Sequence, residues 1–212
     1  MANFEISFAC FSPHPPLLLP YIGSVDDRIK VKKTLKALES LEKQFKKAEI
    51  DEIIISSPHQ DWGFNVPLTL LAKGFKGKII PYLTGLESPL SHFNKGKEVY
   101  NDTKYKIQDT KYKVALVGSG DTSHCLKKDG PYGFNVEGPK FDKDLISYLK
   151  EKNIEKILSL ADVYPNAAEC GLRSFSFVLG ILEASGINWQ PEILSYEGPL
   201  GVGYLVANFR LE

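Results

Sequence analysis

The feature that most constrains this chain is a repeated junction, an apolar run broken by Ser-Pro-His, first at Ser12-Pro13-His14 and again at Ser57-Pro58-His59. Glu5 to Phe11 sets Ile6, Phe8 and Cys10 in alternation and then meets prolines that cannot continue a strand. Ile53-Ile54-Ile55 is a β-branched run of the kind buried on both faces of a parallel sheet. Between the two runs, Asp26 to Glu49 repeats Leu35, Leu38, Leu41 and Phe45 at intervals of three or four, which is helical spacing. In a strand-helix-strand unit the strands lie parallel. Both histidines therefore leave the carboxyl-terminal edge of the sheet, where open α/β folds place their ligands.

A third buried run, Val114-Ala115-Leu116-Val117, ends in Gly118-Ser119-Gly120-Asp121-Thr122-Ser123-His124, so three of the four histidines exit from strand ends. Pro67 to Ala72 and Lys78 to Tyr82 read as two more strands around the Gly74–Gly77 turn, an antiparallel excursion. His92 to Asp109 reads as weakly helical, Lys127 to Pro139 as a loop long enough to cover a site, and Phe141–Lys150 and Ile154–Leu160 as helices. Phe175, Val178, Leu179 and Leu182 form one apolar helix face that Gly186 stops, with Glu169 near its start. Glu192–Tyr196 and Val202–Phe209 are strands joined at Gly198-Pro199. The expected fold is α/β. It has one domain over residues 1–212 and a mixed, mostly parallel central sheet with helices on both faces. The site lies at the carboxyl-terminal strand edge.

At 212 residues a single domain hides roughly 70% of its unfolded surface, so any metal would serve chemistry rather than hold the fold together. Lysine plus arginine number 26 against 26 acidic residues, without a sustained basic run, which argues against nucleic acid as a partner. The apolar run Pro15–Ile22 is broken by proline and far short of the ~20 residues that span a bilayer. The first residues also lack the positive start of a secretory signal, so a cytoplasmic protein without membrane attachment is expected. Cys10, Cys125 and Cys170 are odd in number and scattered, and reduced thiols are expected.

Three histidines converging from strand ends point to a metal site, because neutral imidazole is a common metal ligand. Two imidazoles and one carboxylate leave coordination positions open, as Fe(II) chemistry with dioxygen requires. Asp61, Asp121, Asp162 and Glu169 are the candidate carboxylates. Asp61 reads as a partner that orients an imidazole, Asp162 as a solvated helix end, Asp121 as either a ligand or a turn residue, and Glu169 as a charge on a helix start.

The strings Phe11-Ser12-Pro13-His14-Pro15-Pro16, Ser57-Pro58-His59, Gly118 to His124, Asp129-Gly130-Pro131-Tyr132-Gly133-Phe134-Asn135 and Glu169-Cys170-Gly171 resemble the class III extradiol ring-cleavage dioxygenases. The resemblance is to their LigB-type catalytic superfamily, in its small branch related to Memo-like and AMMECR-like proteins, and it runs over nearly the whole chain. It implies His14, His59 and Glu169 as iron ligands and His124 as the acid/base histidine; Asp121 and Tyr132, from the same loops, are the candidate substrate-binding residues. It further implies Fe(II), with zinc as the alternative, a catechol-type aromatic substrate with dioxygen, a homodimer, and an AMMECR-like or other partner subunit. Memo-like relatives place a cysteine in the site from the segment matching Cys170-Gly171, which makes Cys170 the rival of Glu169. Two other activities stay open: a Memo-like protein that binds a peptide or partner without ring cleavage, and a zinc hydrolase using the same ligands.

The remaining candidates are read conservatively. His92 is expected at the surface, Trp62 and Phe64 as core packing more than pocket lining, Arg173 as the partner of a surface carboxylate, and Asn166 as a helix cap.

Overall fold

The computed structural model describes residues 4–104 and 112–212. Six strands form one sheet in the order β3-β2-β4-β1-β6-β5. They are β1 (Phe4–Ser12), β2 (Glu52–Ser57), β3 (Lys78–Leu83), β4 (Tyr112–Ser119), β5 (Trp189–Glu197) and β6 (Tyr204–Leu211). β1, β2, β3 and β4 are mutually parallel, while β6 runs antiparallel to both β1 and β5. The helices among the described residues are α1 (Val25–Lys30), α2 (Lys32–Ala48), α3 (Trp62–Leu71), α4 (Pro89–Lys104), α5 (Glu137–Lys150), α6 (Ile154–Val163) and α7 (Leu172–Ser185). The expected α/β architecture is the one observed.

Strand alternation divides the core into two layers. Phe8, Cys10, Ile53, Ile55, Ala115 and Val117 face α2 and α3, packing with Leu38, Leu41, Phe45 and Val66. Ala9, Phe11, Ile54, Val114 and Leu116 point the other way, onto Phe141, Leu145, Phe175, Val178 and Leu182 of α5 and α7. Both faces of β1, β2 and β4 are therefore buried, which is why Ile53-Ile54-Ile55 is apolar without alternation. The connections after β1 and β2 cover one face and those after β3 and β4 the other. β2, β4 and β1 are neighbours in the sheet, so the loops leaving their carboxyl ends lie side by side at the edge where such folds place ligands.

Several local expectations are corrected. Pro67–Ala72 is not a strand; it lies in and just after α3, which carries Pro67 in its interior. β2 and β3 consequently pair in parallel, not as an antiparallel excursion. A short apolar run fits a buried helix as well as a strand, and periodicity alone does not separate them. The 26–49 helix is two helices, broken at Val31. The helix expected over 92–109 begins at Pro89, and its part beyond Lys104 lies outside the described residues. Gly186 closes α7 in the left-handed conformation, as a glycine there should. All three cysteines are free thiols, and no helix among the described residues is long and apolar enough to cross a membrane.

Candidate metal centre

His14 follows β1 by two residues and is only 2% exposed. Its backbone N–H donates to Asp121 Oδ1 at 3.1 Å. Its Nδ1 lies 2.9 Å from Ser119 Oγ. Ser119 has a single hydroxyl proton and donates it to the Gly63 carbonyl, which can only accept. Toward His14 the hydroxyl must therefore accept, so Nδ1 carries the imidazole proton and Nε2 presents a lone pair. That lone pair faces Cys170 Sγ at 3.5 Å. Burial, followed by His59 and His124, lowers the His14 pKa to about 3, so the ring is neutral at physiological pH.

His59 is held by a tight turn in which Ser57 Oγ accepts from the His59 N–H at 3.1 Å and donates to its carbonyl at 3.0 Å. The turn needs Gly63, because a Cβ there would collide with Ser57 Oγ. The His59 ring meets His14 edge-on, centroids 5.1 Å apart, and Trp62 covers it at 5.1 Å on another side. Burial lowers its pKa as well.

His124 enters from the loop after β4, its N–H donating to Ala167 O at 3.3 Å. Tyr132 lies over its ring at 5.1 Å. Its Nε2 is buried with no hydrogen-bond partner among the described residues. Burial, then His59, depresses its pKa to about 4. Asp142 of α5 fixes this loop, accepting from Ser123 N–H at 2.7 Å and from Tyr196 Oη at 2.5 Å. Burial raises its pKa to about 6 against those bonds. Sequence patterning gave no sign of this carboxylate, since it lies on the inner face of an otherwise ordinary amphipathic helix.

The segment before α7 supplies the remaining groups. Ala168 takes a left-handed φ of 53°, an uncommon conformation for a non-glycine residue. Gly120 and Gly171 meet so closely that a Cβ on Gly120 would strike the Gly171 backbone. This contact lets Asp121 O accept from Gly171 N–H at 2.9 Å and Asp121 N–H donate to Cys170 Sγ at 3.3 Å. Burial raises the Asp121 pKa to about 7, opposed by the His14 N–H. The Cys170 thiol is pushed up by burial and then by Asp121.

Among the described residues, two sets bring ligand-type atoms within 4.8 Å of one another: His14, His59 and Cys170, and Asp121, His124 and Cys170. Glu169, expected as the carboxylate ligand, belongs to neither. Its Oε2 accepts from Leu172 N–H at 2.6 Å, capping α7, and its Oε1 meets the Arg173 guanidinium at 3.4 Å. Its rival Cys170 belongs to both. Tyr132 is 65% exposed at the rim. Asp61 is exposed at the start of α3 and Asp162 is exposed on α6. Trp62 reaches the site, whereas Phe64 packs against the core on the α2–α3 side.

Three other expectations change. His92 is 2% exposed, not at the surface; its Nδ1 meets Tyr82 Oη at 3.0 Å. Asn166 does not cap α7; its N–H and Nδ2 donate to Glu137. Arg173, besides Glu169, donates from Nε to Glu87 O at 2.8 Å.

The donor set fits a transition-metal ion. It offers the His14 imidazole with its lone pair fixed inward, the His59 imidazole beside it and the Cys170 thiol, with the Asp121 carboxyl and the His124 imidazole next to them. Thiol and imidazole suit zinc, copper and iron more than magnesium or calcium.

Residues 60–207 match the family described as the catalytic LigB subunit of aromatic ring-opening dioxygenase. The chain is 42% identical over 145 residues to protein CA_C1420 of Clostridium acetobutylicum. That alignment covers 68% of this chain but only 30% of the relative. The fold is similar to the crystal structure of the uncharacterized protein JW3007 from Escherichia coli K12, with TM-score 0.61 and 13% identity over 95% of this chain and 99% of that one.

Proposed function

Because the chain belongs to the family of catalytic LigB subunits of aromatic ring-opening dioxygenases, we propose that it is a metal-dependent oxidoreductase that acts with dioxygen on a catechol-type aromatic. Non-haem Fe(II) would be held by His14, His59 and Cys170, with Asp121 beside them. The observation that carries this reading is the convergence of two imidazoles and a thiol, from three separate loops, within 4.8 Å. Such an ion supplies Lewis-acid activation of a hydroxyl and electron exchange with dioxygen.

The protein's own groups handle protons and orientation. His124 is neutral at physiological pH and its Nε2 has no hydrogen-bond partner among the described residues, so it can accept the proton of an incoming hydroxyl. Asp121, with a pKa near 7, can hold a second proton or return one. Trp62 and Tyr132 put aromatic faces on two of the imidazoles and give a flat ring apolar walls. Fixing substrate between such walls removes much of the entropy cost of bringing reacting groups together.

One observation favours a second reading. A thiol stands where a carboxylate was expected, and imidazole with thiolate also makes a stable zinc site. On that reading the cleft binds a peptide or partner without ring cleavage. A companion domain or subunit suits both readings, since the Clostridium relative extends far beyond the matched segment.

Protein purified without oxygen and reconstituted with Fe(II) should consume dioxygen when catechols are added, and lose that activity in the His14→Ala and His59→Ala variants. Stoichiometric zinc in the purified protein, with no oxygen uptake after iron loading, would replace the first reading with the second.

A further inference from the structure

Pro67 is an anomaly that the site does not use directly. It is the sixth residue of α3 and lies well inside the helix. A proline there has no N–H to give the carbonyl four residues earlier, and its ring crowds that carbonyl outward. The carbonyl four residues before Pro67 belongs to Gly63, and it is the one that receives the Ser119 hydroxyl proton. Ser119 in turn is the acceptor 2.9 Å from His14 Nδ1. A defect in the α3 hydrogen-bond ladder is thus connected, through two bonds, to the imidazole that faces Cys170.

From this geometry we propose that Pro67 is a positioning residue: by releasing the Gly63 carbonyl to Ser119 it holds His14 in the Nδ1–H tautomer, with Nε2 free to bind a metal. Ser119 ends β4 in register with Ser12, so the serine is fixed by the sheet. Gly63 is fixed from the other side by its packing on Ser57 and the His59 Cβ. The Pro67–Gly63 turn therefore serves both histidines, reaching His14 through the Ser119 hydroxyl and giving space to His59. Without the proline, the amide at position 67 would claim the Gly63 carbonyl and weaken its bond to Ser119. The serine proton could then turn toward Nδ1 and drive the imidazole proton to Nε2, which blocks the lone pair.

The tautomer assignment stands on the hydrogen bonds alone, and only its consequence for metal binding rests on the reading above. The test combines nitrogen-15 NMR of the metal-free protein, which distinguishes the two imidazole tautomers, with cobalt(II) titration. The wild type should show His14 protonated at Nδ1. Ser119→Ala should mix the tautomers and weaken cobalt binding about 10- to 100-fold, the usual cost of losing a partner that orients a ligand. Pro67→Ala should shift the tautomer and the affinity in the same direction while melting no lower than wild type, because alanine is the better helix former. Combining the two should add little to Ser119→Ala alone.

A wild-type His14 protonated at Nε2 would overturn the proposal. So would a Pro67→Ala variant with unchanged tautomer and unchanged cobalt affinity. A wild type that shows the Nδ1–H tautomer, shifted by Pro67→Ala, yet binds no cobalt would uphold the positioning role and remove the metal reading instead.

Discussion

Cys170 Sγ stands 3.5 Å from His14 Nε2, while Glu169, one residue earlier, turns its carboxylate back onto the Leu172 N–H. The two side chains diverge because Ala168 is left-handed and Gly171 presses against Gly120, which aims residue 170 inward and leaves residue 169 over the helix end. Replacing each should separate their roles. Cys170→Ala should lose more cobalt affinity than the ~10- to 100-fold that a supporting partner costs, along with the thiolate-to-metal absorption band. Glu169→Gln should keep the band, since a glutamine amide oxygen can still accept from Leu172 N–H. If Glu169→Gln abolishes binding and Cys170→Ala leaves it intact, the ligand assignment is reversed.

The metal-free site should also show opposing pH dependences. Asp121 is raised from 3.8 to about 7, so between those values the folded protein holds a proton the unfolded chain has released. Stability from this group falls as pH rises, by at most ~1.4 kcal/mol per unit. His14 and His124 are lowered from 6.5 to about 3 and about 4, so there the unfolded chain holds the extra protons and stability falls as pH drops. Asp121→Asn keeps an acceptor for the His14 N–H and removes only the first slope. On acidification from pH ~6.5 to ~4.5 the variant should lose more stability than wild type. Urea unfolding at three pH values measures this, and parallel slopes for the two proteins would refute the burial of an ionisable Asp121.

How much of this was legible beforehand follows from the range of the interactions. The repeated Ser-Pro-His junction and the His124 loop revealed the carboxyl-edge convergence, because strand ends and breakers are local signals. The sheet order was hidden: β4 inserts between β1 and β2, and a parallel neighbour distant in sequence leaves no local trace. Pro67–Ala72 misled because its short apolar run reads as a strand, and the proline is accommodated inside α3 where Ser119, 56 residues away, takes the freed carbonyl. His92 looked exposed because its partner Tyr82 lies on another element. Which of Glu169 and Cys170 faces His14 depends on the left-handed Ala168 and on the Gly120–Gly171 contact, neither of which shows in the residue types alone.

His124 should separate chemistry from metal retention. Its Nε2 is buried and has no hydrogen-bond partner among the described residues, while the His14, His59 and Cys170 set forms without it. His124→Ala should therefore retain metal yet slow turnover about 100- to 10,000-fold, the usual contribution of a positioned acid or base. Steady-state oxygen uptake alongside metal analysis tests the point. Equal loss of metal and turnover would make His124 a ligand, and unchanged turnover would remove it from the reaction.

Trp62 offers a direct view of the site. The chain has two tryptophans. Trp189 is 3% exposed at the start of β5, on the edge of the sheet away from the site, whereas Trp62 is 42% exposed. The Trp62 indole also lies 5.1 Å from the His59 ring. Cobalt binding should quench the Trp62 emission and leave that of Trp189, so Trp62→Phe should abolish the response without changing the affinity. A catechol entering between the aromatic walls should quench further. Tyr132 lies 5.1 Å from the His124 ring; an aromatic pair contributes ~0.5–1.5 kcal/mol, so Tyr132→Ala should weaken catechol binding about 2- to 10-fold while metal affinity holds. Equal catechol affinity in the Trp62→Phe, Tyr132→Ala and wild-type proteins, read by calorimetry, would mean that the ring is held elsewhere and that these two side chains only border the opening.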